Sequence, residues 1–102
     1  MYRILYSAPL FGHVGDGNFH AVLLFDPNEP EEYKKCKEIS QRMGHRAMEM
    51  GGTCTGEHGI GIGKRDFLKN MVGDVGVDAM YTIKHAFDPK GIMNPGKILF
   101  PR

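Results

Sequence analysis

Residues 28–52 read NEPEEYKKCKEISQRMGHRAMEMGG, and the fold class turns on this stretch. Asn28 is a capping type of residue, Pro30 suits a first helical turn, and Glu29 and Glu31 favour the positive end of a helix dipole. A helix should begin here. Tyr33, Cys36, Ile39, Met43, Ala47 and Met50 recur every three or four residues as one apolar stripe, and Gly51-Gly52 supplies a left-handed stop.

Upstream of the helix, Phe19, Val22, Leu23, Leu24 and Phe25 form an apolar run over residues 18–25, bounded by Gly17 and by Asp26-Pro27-Asn28. That pattern predicts a buried strand. Another strand is expected near Leu10-Phe11, past the break at Pro9. Downstream, Thr53-Cys54-Thr55 reads as a brief strand leading into the turn-rich loop Gly56-Glu57-His58-Gly59-Ile60-Gly61-Ile62-Gly63. Lys64 to Met71 predict a short helix burying Phe67, Leu68 and Met71, interrupted by Gly73 and Gly76. A second helix follows with Asp78 as its cap, Met80, Ile83 and Phe87 on one face, and Asp88-Pro89 as its end. Residues 91–97 are loop by composition. Strands separated by helices give an α+β or α/β class.

The chain has 102 residues, 41% hydrophobic and 25% charged, which fits one small globular domain. A domain of this size buries roughly two thirds of its unfolded surface, so its stability is expected to depend on neighbouring protein. Thirteen basic and twelve acidic residues give a net charge of +1, and no broad field points to nucleic acid or to an anionic membrane. Cys36 and Cys54 lack a metal-type spacing and read as reduced structural thiols. No apolar run reaches the roughly 20 residues that a membrane span needs. Met1-Tyr2-Arg3-Ile4-Leu5-Tyr6 is too short for a signal core and lacks transit-peptide character, so any organelle address is expected outside this chain.

The densest chemical signal is Gly12-His13-Val14-Gly15-Asp16-Gly17-Asn18-Phe19-His20, where glycines allow the sharp backbone that lets His13 and His20 converge. Asp16 reads as a turn former. Thr55-Gly56-Glu57-His58-Gly59-Ile60-Gly61 adds a carboxylate and a further imidazole. Neighbours in an extended segment face opposite ways, so Glu57 and His58 are expected to serve different tasks. His13, His20 and Glu57 are donor types that suit a divalent transition metal with positions open to an oxygen-rich substrate. A metal there would be able to grip a 2-hydroxy acid and acidify its hydroxyl, with His58 placed to take the proton. The accompanying hydride needs a separate redox cofactor. The spacing of His13 and His20 is not a standard ligand spacing, and histidines in glycine loops also read as exposed or hydrogen-bonded side chains. A phosphate-loop reading of the glycines before Lys64 fails, because His58 stands where glycine is needed and Arg65 where Ser or Thr is needed. His45 and His85 read as structural.

The phrases Gly12 to His20, Gly52 to Gly61 and Asn94-Pro95-Gly96-Lys97 together resemble the C-terminal domain of the FAD-linked oxidases of the vanillyl-alcohol-oxidase type. Within that family the likeness is to the cytochrome-reducing D-lactate dehydrogenases. It covers residues 8–102 and leaves 1–7 unassigned. The resemblance implies an α+β cap, short strands with two or three helices, that works with an FAD-binding domain outside this chain. It implies His13, His20 and Glu57 as ligands of zinc or manganese, His58 as catalytic base and Asn94 as a residue near the flavin. It also implies D-lactate oxidation to pyruvate, cytochrome c as electron acceptor and a mitochondrial setting. The FAD-binding domain and the family's substrate-gripping Arg and Lys are expected upstream of this segment, and a base without its hydride acceptor cannot run the reaction, so the chain alone is expected to be inactive.

Relatives acting on 2-hydroxyglutarate carry an asparagine two residues after the second ligand histidine, where this chain has Val22. An apolar side chain there fits a small substrate such as lactate better than a dicarboxylate. The alternatives are a glycolate- or 2-hydroxyglutarate-type dehydrogenase, a non-catalytic metal-binding or regulatory module, and, with least support, a metal hydrolase.

Overall fold

The computed structural model describes residues 8–101, and the expectations for residues 1–7 lie outside that range. The chain divides into two compact units, Met1–Met43 and Gly44–Arg102, and the division falls within helix α1, Pro30–Glu49.

In the first unit, strands β1 (Leu10–Phe11) and β2 (His20–Ala21) pair antiparallel, with Leu10 opposite Ala21 and Phe11 opposite His20. The Val22 amide donates to the Pro9 carbonyl at 3.1 Å and prolongs the pairing by one bond. The expected strand over residues 18–25 is therefore corrected to two residues. Its apolar side chains are not buried either, with Phe19 58%, Leu24 53% and Phe25 42% exposed. A continuous apolar run makes a buried strand only where neighbours cover both faces, and among the described residues β2 pairs with β1 alone.

The turn after β2 differs from expectation in its cap. Asn28 does not cap α1; its amide and side-chain nitrogens both donate to Asp26 Oδ1, at 2.9 and 3.0 Å, forming an Asx turn. The Glu29 carbonyl receives the Glu32 and Tyr33 amides instead, and Glu32 Oε2 accepts the Asp26 amide at 2.9 Å. Along the stripe, Cys36 is buried at 6% exposure and turns its thiol toward the Leu24 carbonyl, while the Tyr33 ring meets Phe25 at 5.3 Å.

The expected stop at Gly51-Gly52 is present. Gly51 has φ 82°, its amide donates to Met48 and the Gly52 amide to Ala47, which is the paired bonding of a Schellman end.

The second unit has its core at Cys54, Phe67 and Leu68, with the His45 ring edge-on to Phe67 at 5.0 Å. Thr53-Cys54-Thr55 is an irregular bend, which corrects the expected strand. Helix α2, Arg65–Phe87, is broken at Gly73, whose φ of 71° and ψ of 173° are not helical. Two helical segments thus occur, as expected. Asp78 caps neither, because the chain re-enters the helix directly after Gly73, and Gly76 lies inside the second segment. The class is α+β: two helices and a small antiparallel sheet. No helix among the described residues is long and apolar enough to cross a membrane. Both cysteines are free and buried, as expected of structural thiols.

Candidate metal and proton-transfer site

The hairpin loop is built on backbone bonds that leave its side chains outward. His13 offers its carbonyl to the amides of Asp16 and Asn18, at 2.9 and 3.1 Å, and a single turn of 3-10 helix, Val14–Asp16, ends on Gly17 at φ 71°. Asp16 serves the turn through its amide. Gly12 has φ 149°, and a Cβ there would lie 2.7 Å from both the Asn18 oxygen and the Phe19 Cα. Only glycine lets the two limbs approach so closely. His13 is exposed at the start of this turn. The strand register sets half-buried His20 across from Phe11, with ring centroids 5.2 Å apart.

The second cluster belongs to the other unit. Thr55 Oγ1 donates to the Gly59 carbonyl at 3.0 Å, closing a tight loop around Glu57 and His58, and Gly59 and Gly61 take left-handed φ values of 75° and 54°. Lys64 ties the far end by donating from Nζ to the Cys54 carbonyl at 2.5 Å. Glu57 Oε1 and His58 Nε2 are 3.7 Å apart. The expectation that they face opposite ways is corrected: residues 56–58 are bent, and the alternation of an extended chain does not apply. The side chains are 39% and 74% exposed, so solutes reach both. A carboxylate at this distance forms an ion pair with the imidazole once a proton has been taken up.

Asn94 sits in a third place, the turn that returns the tail. Its φ is 47°, its carbonyl accepts the Lys97 amide at 3.2 Å, and its Oδ1 accepts Lys97 Nζ at 3.1 Å. Asparagine tolerates this left-handed backbone better than most residues. The Pro95-Gly96 centre, with Gly96 at φ 71°, suits a type II turn.

The sequence reading missed two groups that hold this end of the chain. One is Arg65, noted only as the wrong residue for a phosphate loop; it donates to the Gly96 carbonyl at 2.6 Å. The other is Asp88, read only as a helix terminator. It pairs with Lys84 one turn earlier and accepts the amides of Ile92 and Met93, each at 3.0 Å. The hydrogen bond from Lys84 holds its carboxyl below the usual range; burial pushes the other way, and the Met93 and Ile92 amides and the Lys84 charge add to the lowering. A Lys four residues before an Asp at a helix end was the available signal. His85 stacks on Tyr81 at 6.4 Å, in keeping with a structural part.

The described residues thus give a hairpin with two imidazoles in one unit, and a carboxylate–imidazole pair with an asparagine turn in the other. Known proteins are similar to this chain in sequence over most of its length. The pattern of the FAD linked oxidases, C-terminal domain, matches residues 5–98. The chain is 53% identical over 89 residues to the D-lactate dehydrogenase [cytochrome] 1, mitochondrial, of Saccharomyces cerevisiae, covering 87% of this chain and 15% of that protein. It is 47% identical over 93 residues to a probable D-lactate dehydrogenase, mitochondrial, of Danio rerio, covering 91% of this chain and 19% of that one. It is 42% identical over 88 residues to the glycolate oxidase subunit GlcD of Bacillus subtilis, covering 86% and 19%. The chain spans less than a fifth of the length of each of these relatives. With a family pattern that runs through the hairpin, the loop and the tail alike, this chain belongs to the FAD-linked oxidases, within their C-terminal domain.

Proposed function

We propose that this chain carries the metal ligands and the proton acceptor of an FAD-dependent D-2-hydroxy acid dehydrogenase, with D-lactate as substrate and pyruvate as product. The observation that carries the reading is the identity with D-lactate dehydrogenases, 53% and 47%, across most of the chain. His13, His20 and Glu57 are the proposed ligands of a zinc or manganese ion. Two imidazoles and one carboxylate are a donor set that such ions accept, and all three side chains are exposed or half-exposed. An ion held there would supply Lewis acidity to a 2-hydroxy acid substrate.

His58 is the proposed base. It takes the hydroxyl proton, and the Glu57 carboxylate, 3.7 Å from its Nε2, balances the charge the ring gains. FAD, held chiefly by the FAD-binding domain of the parent enzyme, would supply the hydride acceptor, and Asn94 is the residue proposed to lie beside it. A cytochrome as electron acceptor and a mitochondrial setting are proposed from the names of the relatives. Residues 8–102 are proposed as the part of the cap contributed here, and turnover requires the FAD-binding domain.

Val22 supports a small substrate. Its side chain is 38% exposed and so within reach of a ligand. The likeness to a glycolate oxidase subunit favours glycolate as the second reading.

The test uses the full-length enzyme that contains this segment. His58→Ala is expected to lower kcat for D-lactate by about 100-fold to 10,000-fold, with metal and flavin content unchanged. Normal turnover in that variant would rule out the base. Metal present but no turnover in the unaltered full-length protein would favour a non-catalytic module.

A further inference from the structure

We infer that Arg65 is a positioning residue: its guanidinium locks the glycine-rich loop that follows His58 to the turn that carries Asn94. The parts given to His58 and Asn94 rest on the reading above, whereas the lock itself does not.

Arg65 touches three groups at once. Nη1 donates to the Gly96 carbonyl at 2.6 Å, Nε donates to the Ile62 carbonyl at 3.3 Å, and the guanidinium lies 4.5 Å above the Phe100 ring. Gly96 belongs to the Asn94 turn and Ile62 to the loop after His58. Two more bonds work alongside it. The Ile98 amide donates to the Gly61 carbonyl at 2.7 Å, and the Tyr81 hydroxyl donates to the Phe100 carbonyl at 2.7 Å.

Two features show that the lock has work to oppose. Ile98 has φ 66°, a region that a branched side chain rarely enters, so contacts hold the tail there against its local preference. The loop, in turn, has glycine at 59, 61 and 63, which offer no side chains to fix its path. Beyond the Thr55 bond to Gly59 and the Lys64 amide on Ile60, its far half is restrained through carbonyls, at Ile62 by Arg65 and at Gly61 by the tail. Arginine suits this task in a way that lysine does not. A planar fork presents Nε and Nη1 in fixed directions while its face stacks on an aromatic ring; an ammonium is a single point on a flexible stem.

The experiment takes the full-length holoenzyme and compares Arg65→Lys and Phe100→Leu with the unaltered protein. Backbone amide exchange is followed in peptides covering residues 56–64 and 94–100, beside kcat and KM for D-lactate. For Arg65→Lys, exchange is expected to accelerate in both segments together, and kcat to fall about 10-fold to 100-fold with KM changed less than about 2-fold. Phe100→Leu is expected to move the same readings less far, and it keeps the test open should Arg65→Lys fail to fold. Faster exchange confined to residues 94–100 would overturn the proposal, leaving Arg65 as an anchor for the tail alone. Joint acceleration with unchanged kcat would overturn the positioning of the catalytic groups. If His58→Ala retains full turnover, the reading of the base has failed, and the exchange data still decide whether the lock exists.

Discussion

The Phe67 ring occupies the space in which a side chain on Gly44 would begin: a Cβ at that position would lie 2.8 Å from Phe67 Cζ and 3.3 Å from the Cys54 Cβ. Phe67 is 6% exposed and its ring is met by His45, so it has little freedom to withdraw.

Gly44→Ala is therefore expected to destabilise the protein although alanine is the better helix former. Relieving the clash costs about 1–3 kcal/mol, against a propensity gain of about 1 kcal/mol. A urea unfolding midpoint lowered by a net destabilisation of about 1 kcal/mol is expected; a raised midpoint would show that the ring moves aside freely.

Gly12→Ala tests the hairpin. The clash here is with backbone, the Asn18 oxygen and Phe19 Cα at 2.7 Å, and the φ of 149° is itself strained for alanine. A loss of about 2 kcal/mol or more is expected. Metal content of the full-length protein, measured after dialysis, should fall with it, because His13 and His20 sit on either limb of this loop.

Asp88 gives a pH dependence with a definite sign. Its folded-state pKa is lowered from 3.8, so the stability it contributes is fully present above about that pH and is lost as pH falls through the lower folded value. Asp88→Asn should be less stable than the unaltered protein at pH 7, with the gap closing below pH about 4 as the native carboxyl takes up its proton. Unfolding midpoints measured across pH 2–7 check this; a gap of constant size would remove the carboxylate from the account.

Val22→Asn tests the substrate reading. The ratio of kcat/KM for D-2-hydroxyglutarate to that for D-lactate is expected to rise about 10-fold, the scale on which one pocket contact discriminates. No change in the ratio would return Val22 to a purely structural part.

What the sequence disclosed depended on how local the determinants were. Helix α1 was legible because its stripe and its Gly51-Gly52 stop lie within one stretch. The break at Gly73 was legible in place, whereas Gly76, read the same way, lies inside the second helical segment. Residues 18–25 misled because an apolar run reports a demand for cover and not the presence of the covering strands. Asn28 and Asp78 are good capping types, but the chain already bonds Asn28 to Asp26 and already enters a helix before Asp78. At the site, the residue types were readable from motifs, whereas the closeness of Glu57 to His58 required knowing that the segment bends. Arg65 was out of reach, because its acceptor Gly96 lies 31 residues away.

Gly73 carries one more consequence. Nothing lies within 4 Å of where its side chain would be, so the demand on this position is one of handedness and not of room. An L-alanine would resist the torsions found there, whereas its mirror-image counterpart, introduced by chemical ligation, would accept them. The bearing of the terminal rod, and with it the footing of Tyr81 and Lys84, is thus set by one achiral joint that evolution can alter only by losing it.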